Sequence, residues 1–144
     1  MTRPARSRRW GSFPTTADVG IWATGGTVAE LFEALGLGLF ALITDLHKVR
    51  PRDTRLISTS GTDPAALVVA YLTQLLLLQQ IEGFVACQIK ARPIGTPPTA
   101  VFATVSGENF DPLRHTPRVE VKAITWHALT FDLATRRARV IVDI

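Results

Sequence analysis

The last eight residues of the chain, RARVIVDI, constrain the fold more than any other segment. Val140, Ile141 and Val142 are apolar at successive positions, so a strand formed here carries apolar side chains on both faces. That pattern is typical of a central strand covered on both sides. Asp143 and Ile144 follow directly, so the aspartate and the terminal carboxylate are expected where this strand stops.

Two helical patterns and a series of strand patterns fill the rest of the chain. A strand pattern begins at Val19, and Thr27 with Glu30 forms a capping box before a helix that ends near residues 45–47. A second apolar helix begins at the sequence GTDP and runs to about Gln80. Further strand patterns cover residues 52–58, 84–91, 100–107, 119–133 and 138–144. This order predicts an α+β domain, with two helices against a largely antiparallel sheet or pair of sheets.

The excess of basic residues lies at the N-terminus. Arg3, Arg6, Arg8 and Arg9 account for four of the 16 basic residues, and the remaining 12 balance the 12 acidic residues. We predict a disordered basic tail over residues 1–11 and one compact domain over residues 12–144. Because that domain is neutral, we expect direct nucleic-acid binding to be weak or absent.

The cysteine content and the hydropathy pattern indicate a cytoplasmic protein. Cys87 is the single cysteine and forms no intramolecular disulfide, which is typical of a reducing compartment. No apolar run follows the N-terminal arginines, so we expect no signal peptide. Residues 65–78 form the most apolar stretch, which spans about 21 Å as a helix, short of a bilayer core of about 30 Å. We interpret it as a core helix and expect no membrane-spanning segment.

Asp18 and Asp143 form the first candidate site, since each stands at the end of an apolar strand. A carboxylate there is hydrated, paired or bound to a metal, because burying it alone is costly. Two aspartates and a terminal carboxylate at Ile144 repel one another unless a hard cation such as Ca²⁺ or Mg²⁺ lies between them. The alternative is that Asp18 caps a turn and Asp143 pairs with Arg139.

The polar run GENFDPLRHTPRVEVKAITWH is the second candidate. His115 and His127 are candidate transition-metal ligands, but the run lacks closely spaced ligand pairs, so we expect no zinc site. On a strand from Val119, Glu120 and Lys122 share a face, which predicts a surface ion pair. The chain contains no nucleophile elbow, P-loop, dinucleotide fingerprint or metalloprotease helix, so we expect no enzymatic activity.

Four segments, found in order along the chain, together resemble the archease family. They are PTTADVGI, LFEALGLGLFALITD, EVKAITWHAL and the final RVIVDI. The resemblance runs from about Phe13 to Ile144 and leaves only the tail outside it. It implies a cytoplasmic, non-catalytic protein whose fold has two largely antiparallel β-sheets and two α-helices.

The resemblance also implies a function in RNA metabolism. Archeases promote guanylylation and turnover of the GTP-dependent RNA ligase, of the 3′-phosphate type, that seals tRNA halves. The alternative function is a chaperone or specificity module for a tRNA cytosine methyltransferase, with a purely structural cation. The implied divalent-cation site, usually Ca²⁺ with Mg²⁺ or Mn²⁺ as alternatives, maps onto Asp18, Asp143 and Ile144. We predict Glu120, Lys122 and His115 as partner-contact residues, with no membrane partner.

Several positions depart from the family pattern. Thr15 stands where the first motif usually begins with histidine, and Tyr71 and Gln74 replace a usual tryptophan and glutamate. Arg118 and Val119 replace a usual glycine–threonine pair. The three implied cation ligands are intact, so we expect these departures to affect partner choice or the strength of stimulation.

Overall fold

The final strand is central to the fold, as its sequence predicts. In a computed structural model, which describes residues 9–144, two antiparallel sheets and two α-helices form one domain. The five-stranded sheet has the order β1-β2-β8-β6, with β7 also paired to β8, and the three-stranded sheet has the order β3-β5-β4. The strands are β1 Trp10–Pro14, β2 Val19–Thr24, β3 Asp53–Ser60, β4 Phe84–Ile94, β5 Ala100–Asn109, β6 Ala123–Ile124, β7 Thr130–Asp132 and β8 Arg137–Asp143.

Both helices begin at the residues that the sequence indicates. Helix α1 covers Val28–Ile43, and its N-cap Thr27 accepts a hydrogen bond from the Glu30 N–H at 3.1 Å. Helix α2 covers Pro64–Glu82, and its N-cap Asp63 accepts a hydrogen bond from the Ala66 N–H at 2.8 Å. α2 ends two residues beyond the predicted Gln80, at a left-handed Gly83. These caps satisfy backbone groups that a helix end leaves unpaired.

The helices and both sheets share one apolar core. α1 contacts β2 of the first sheet and β4 of the second, while α2 contacts β3, β4 and β6. Inside the core, the Tyr71 hydroxyl donates to the Phe32 carbonyl at 2.9 Å, and the two rings meet edge to face. α2 is the one helix of the described residues long and apolar enough to span a membrane by length and composition. Six of its side chains are nevertheless buried in this core.

The predicted end of the N-terminal tail and one predicted strand differ from the structure. The sheet begins at Trp10, so residues 10 and 11 belong to β1 rather than to the predicted tail. Residues 1–8 lie outside the described residues, and their disorder stays a prediction. The predicted strand over residues 119–133 is broken into β6 and β7 by a turn, in which the Leu129 N–H donates to the Trp126 carbonyl.

The amides of that broken segment find their hydrogen-bond partners on different elements. The Val119 N–H donates to the Leu42 carbonyl near the end of α1, whereas the Lys122 N–H donates to the Asp143 carbonyl on β8. A continuous strand needs consecutive partners along one neighbouring strand. The segment therefore forms short pairings where it crosses β8 and irregular backbone elsewhere.

Candidate functional site

Asp18 and Asp143 lie at the same end of the β2–β8 ladder. Val19 pairs with Val142 in the last register position of these antiparallel strands. Asp18 immediately precedes Val19 and Asp143 immediately follows Val142, so the register brings both aspartates to this end of the ladder. The register thus brings together two residues that are 125 positions apart.

The neighbouring backbone fixes both positions. In the turn between β1 and β2, the Asp18 N–H donates to the Thr15 hydroxyl at 3.0 Å and the Thr15 N–H donates to the Asp18 carbonyl at 3.2 Å. On the other side, the Lys122 N–H donates to the Asp143 carbonyl at 2.7 Å, and Ala123 pairs with Asp143. Both aspartates therefore form these hydrogen bonds through their main chains. We call this end of the ladder, with Asp18, Asp143 and Ile144, the corner. The two carboxylates remain available to bind another group.

A pocket of about 390 Å³ opens beside Asp18 on the outer face of the five-stranded sheet. Phe13 and Arg139 form part of its lining, and the Arg139 guanidinium lies 4.1 Å from the centre of the Phe13 ring. A Cβ atom at Gly20 would lie 2.0 Å from that ring, so the absence of a side chain at Gly20 leaves the space that the ring fills. Thr15 and His127 also line the pocket, from two loops that no sequence pattern connects.

The alternative interpretation, an Asp143–Arg139 pair, finds no support in the structure. Within residues 9–144, neither Asp18 nor Asp143 forms a salt bridge, and Arg139 stacks on Phe13 instead. Asp18 does take part in a turn, but through its backbone. Carboxylates brought close together without a basic partner would repel each other, and a bound cation would relieve that repulsion.

The donor set at this corner fits a hard cation. Asp18 and Asp143 offer carboxylate oxygens, and Ile144 adds main-chain oxygens one residue further on. No group of three or more histidine, cysteine, aspartate or glutamate side chains between residues 9 and 144 is arranged so that it could hold a metal ion. A site here therefore has two side-chain ligands and needs main-chain oxygens and water to complete it. Ca²⁺ accepts such an all-oxygen set, whereas zinc sites favour nitrogen and sulfur.

The three predicted contact residues lie in different environments. Glu120 and Lys122 are exposed, and the Lys122 backbone is bonded to Asp143, so this lysine borders the corner. In the described part of the chain, Glu120 and Lys122 form no ion pair with each other. The His115 side chain is fully buried, so it cannot contact a partner at the surface. His115 is therefore a wrong prediction as a contact residue.

His115 belongs instead to a buried polar network around Glu108. The His115 Nδ1 atom accepts a hydrogen bond from the Asp111 N–H at 2.8 Å, which leaves Nε2, 3.2 Å from the Glu108 carboxylate, as the donor. Arg114 forms an ion pair with the same carboxylate, and the Arg50 N–H donates to it at 2.7 Å. Burial disfavours the charged form of Glu108, but these hydrogen bonds outweigh it and hold its pKa below the ordinary 4.5.

We expect the Glu108→Gln variant to be less stable than the wild type at neutral pH by about 2 kcal/mol, because it weakens a buried charged network. The folded protein holds the pKa of Glu108 below its unfolded value. The ionised carboxylate therefore stabilises the fold fully above about pH 4.5 and loses this effect as the pH falls through the folded pKa. Urea unfolding between about pH 3 and pH 7 should show the two proteins converging in acid. A constant difference over that range would contradict the assignment.

Comparison with known proteins reveals extensive similarity. Residues 10–144 match the family described as Archease protein family (MTH1598/TM1083). Protein archease of Thermococcus gammatolerans is 38% identical over 126 residues, which cover 87% of this chain and 89% of that protein. Protein archease of Methanosarcina acetivorans is 29% identical over 98% of this chain and 99% of its own length. The solution structure of Methanobacterium thermoautotrophicum protein 1598 superimposes with a TM-score of 0.76 at 27% identity, covering 96% of this chain and 100% of that chain.

Proposed function

The chain belongs to the archease family, and from that premise we propose that it activates a GTP-dependent RNA ligase of the tRNA-splicing type without being an enzyme itself. In this proposal it promotes transfer of GMP to the ligase histidine and sustains ligase turnover in the cytoplasm. Asp18, Asp143 and Ile144 hold a divalent cation, of which Ca²⁺ is our first choice and Mg²⁺ or Mn²⁺ are the alternatives.

The observation that supports the proposal is that the β2–β8 register brings two aspartates to the same end of one ladder, where neither has a basic partner among residues 9–144. Asp18 immediately precedes β2, and Asp143 is the last residue of β8. Two carboxylates held close together would repel each other. The oxygen-only donor set supports a hard cation as the group that offsets this repulsion.

The mechanism follows from what these residues do at the corner. Asp18 and Asp143 would hold the cation at the end of the ladder, where hydrogen bonds with Thr15 and Lys122 position their main chains. A divalent cation offsets the negative charge that develops on phosphate during nucleotidyl transfer. The exposed Lys122 and Glu120 lie on the segment that borders the corner and are proposed to contact the ligase there.

The departures from the family pattern lie in three different environments. Thr15 lines the pocket beside Asp18, Gln74 is exposed on α2, and Tyr71 is buried against α1. Thr15 and Gln74 are therefore the positions at which we expect a difference in partner choice or in the strength of stimulation. Tyr71 acts through the core, where its hydroxyl bonds to Phe32.

The proposal is tested by mixing the purified protein with the RNA ligase of the same organism, labelled GTP and a divalent cation. We expect the protein to raise the rate of covalent GMP attachment to the ligase by about tenfold, which corresponds to ~1.4 kcal/mol of barrier. Ca²⁺ added to the isolated, metal-stripped protein should raise its melting temperature, because binding to the folded state stabilises it.

Two results would reject the proposal. One is an unchanged rate of GMP attachment at every protein concentration. The other is co-purification with a tRNA cytosine methyltransferase and not with the ligase, which would favour the alternative chaperone function.

A further inference from the structure

The outer face of the three-stranded sheet is uncovered. The registers of β3, β5 and β4 place the even-numbered residues of 54–60, 88–94 and 100–106 on one face, in four rows of three. All of them are exposed or half-buried, whereas the odd-numbered Ile57, Ala91, Val101, Ala103 and Val105 are buried in the core. We call this uncovered surface the second-sheet face. It belongs to the sheet that does not carry Asp18 and Asp143.

A diagonal apolar stripe crosses the second-sheet face. Leu56 is 80% exposed, Phe102 45% and Ile94 41%. Phe102 lies on the central strand, in one row with Ser58 and Arg92. Leu56 lies on the flanking strand β3, in the next row on one side. Ile94 lies on the flanking strand β4, in the next row on the other side. Diagonal neighbours on a sheet are about 7–8 Å apart, within reach of long side chains. Large apolar side chains grouped on an exposed face mark an interaction site.

The charge on this face has one sign. Lys90 and Arg92 are its two charged residues, and none of its twelve positions is acidic. The Arg92 guanidinium lies 5.2 Å from the centre of the Phe102 ring, so the positive charge is held beside the stripe. A surface that fits this face therefore combines apolar side chains with carboxylates.

Two other occupants fit less well. A second copy of this chain, placed face to face, would bring the two cations of each copy together without any carboxylate. Single-stranded nucleic acid needs aromatic platforms for successive bases, and Phe102 is the one aromatic residue on the face. Leu56 and Ile94 offer no such platform.

We propose that the second-sheet face docks a partner protein whose apolar side chains cover Leu56, Phe102 and Ile94 and whose carboxylates meet Lys90 and Arg92. Resting on the function proposed above, that partner is the RNA ligase. The two sheets then have separate tasks. The second-sheet face supplies affinity for the ligase, and the Asp18–Asp143 corner supplies stimulation.

The test measures ligase binding and GMP attachment separately. The variants are Phe102→Ser and the double charge reversal Lys90→Glu with Arg92→Glu. We expect each to raise the dissociation constant for the ligase by about tenfold or more, since central aromatic and arginine residues dominate interface energies. GMP attachment should recover at saturating protein, because the corner is unchanged. Binding of the wild type should weaken with added salt, and less so for the charge reversal.

Matched controls separate the face from general surface effects. Leu113→Ser removes an apolar side chain that is 94% exposed elsewhere, and Lys48→Glu reverses an exposed charge outside the face. Both are expected to bind the ligase as the wild type does. Circular dichroism melting checks that the face variants remain folded.

Each outcome decides between the proposals. If the wild type stimulates the ligase and the face variants bind it normally, the docking proposal fails while the proposed function stands. If face-dependent binding occurs without stimulation, the proposed function fails and docking stands. If the ligase neither binds nor responds, both fail. If a 20-nucleotide oligouridine binds the wild type and loses affinity in the face variants, the face is a nucleic-acid site and docking is overturned.

Discussion

The Asp18→Ala variant is expected to fold normally and to lose its stimulation of GMP attachment to the ligase. Its backbone bonds to Thr15 do not involve the carboxylate, so the β1–β2 turn is retained. What is lost is one of the two side-chain ligands of the proposed cation site. Because loss of an outer-shell partner already weakens metal binding by about 10–100-fold, loss of a direct ligand should cost at least that much.

The melting temperature of the metal-stripped variant gives an independent result. Removing one of two adjacent like charges relieves repulsion, so apo Asp18→Ala should melt slightly above the apo wild type. Adding Ca²⁺ should stabilise the wild type by about 2.7 kcal/mol at a hundredfold excess over its dissociation constant. The variant should show almost none of this increase. Asp143→Asn, which keeps the shape of the side chain, should behave in the same way.

The matched control is Asp53→Ala. Asp53 is an exposed carboxylate at the first position of β3, on the other sheet. That variant should keep both the Ca²⁺ response and the stimulation. If Asp18→Ala keeps full stimulation, the corner is not the functional site; if it loses stimulation but keeps the Ca²⁺ response, the corner acts by contact and not through a cation.

Among glycine-to-alanine substitutions at the described glycines, we expect Gly107→Ala to destabilise the protein most. A Cβ atom at Gly107 would lie 1.9 Å from the Val85 carbonyl oxygen and 2.7 Å from the Ala86 Cα. Both are backbone atoms of β4, at the bulge between Ala86 and Gln88. They cannot rotate aside as a side chain can, so the strands must separate.

Two features make that separation costly. The first is that β5 is the central strand of its sheet, between β4 and β3. The second is that Glu108, which follows Gly107, forms the buried network with His115 and Arg114. We expect Gly107→Ala to lower stability by about 3 kcal/mol or more. That corresponds to a fall in melting temperature of about 10 °C for a domain of this size.

Gly26→Ala is the control for the loss of a glycine. A Cβ atom at Gly26 would come no closer than 3.2 Å to another group, which is the flexible Glu30 carboxylate. We expect that variant to change the free energy of unfolding by less than about 1 kcal/mol. Urea denaturation of both variants measures the two changes in the free energy of unfolding. Equal stability of Gly107→Ala and the wild type would mean that the β4 bulge adopts a different geometry.

Local signals in the sequence were sufficient for the helices and for the central strand. Thr27 caps the first helix as the sequence predicts, and the second helix begins within GTDP, where Asp63 is the cap. Val140, Ile141 and Val142, apolar on both faces, lie in a strand flanked by neighbours on both sides. These predictions succeed because capping and strand burial depend on residues adjacent in the chain.

Predictions that needed distant partners failed. The segment over residues 119–133 has a good alternating pattern, yet its amides bond to Leu42, Asp143 and Ile141 at separate places. His115, predicted as a partner-contact residue, is buried, and Glu108 and the Asp111 amide bond to its two ring nitrogens inside the protein. An alternating pattern describes one strand, and polarity describes one residue. Neither identifies the distant group that forms the hydrogen bond.

The sequence by itself determined where the helices begin, that the final strand is central and that aspartates stand at two strand ends. Only the tertiary structure decided that Asp18 and Asp143 lie at the same end of one ladder, that Thr15 and His127 share a pocket, and that one sheet face stays uncovered. The reason is physical. Caps and periodicity arise from contacts a few residues apart, whereas strand register and sheet coverage depend on which distant segments bury each other.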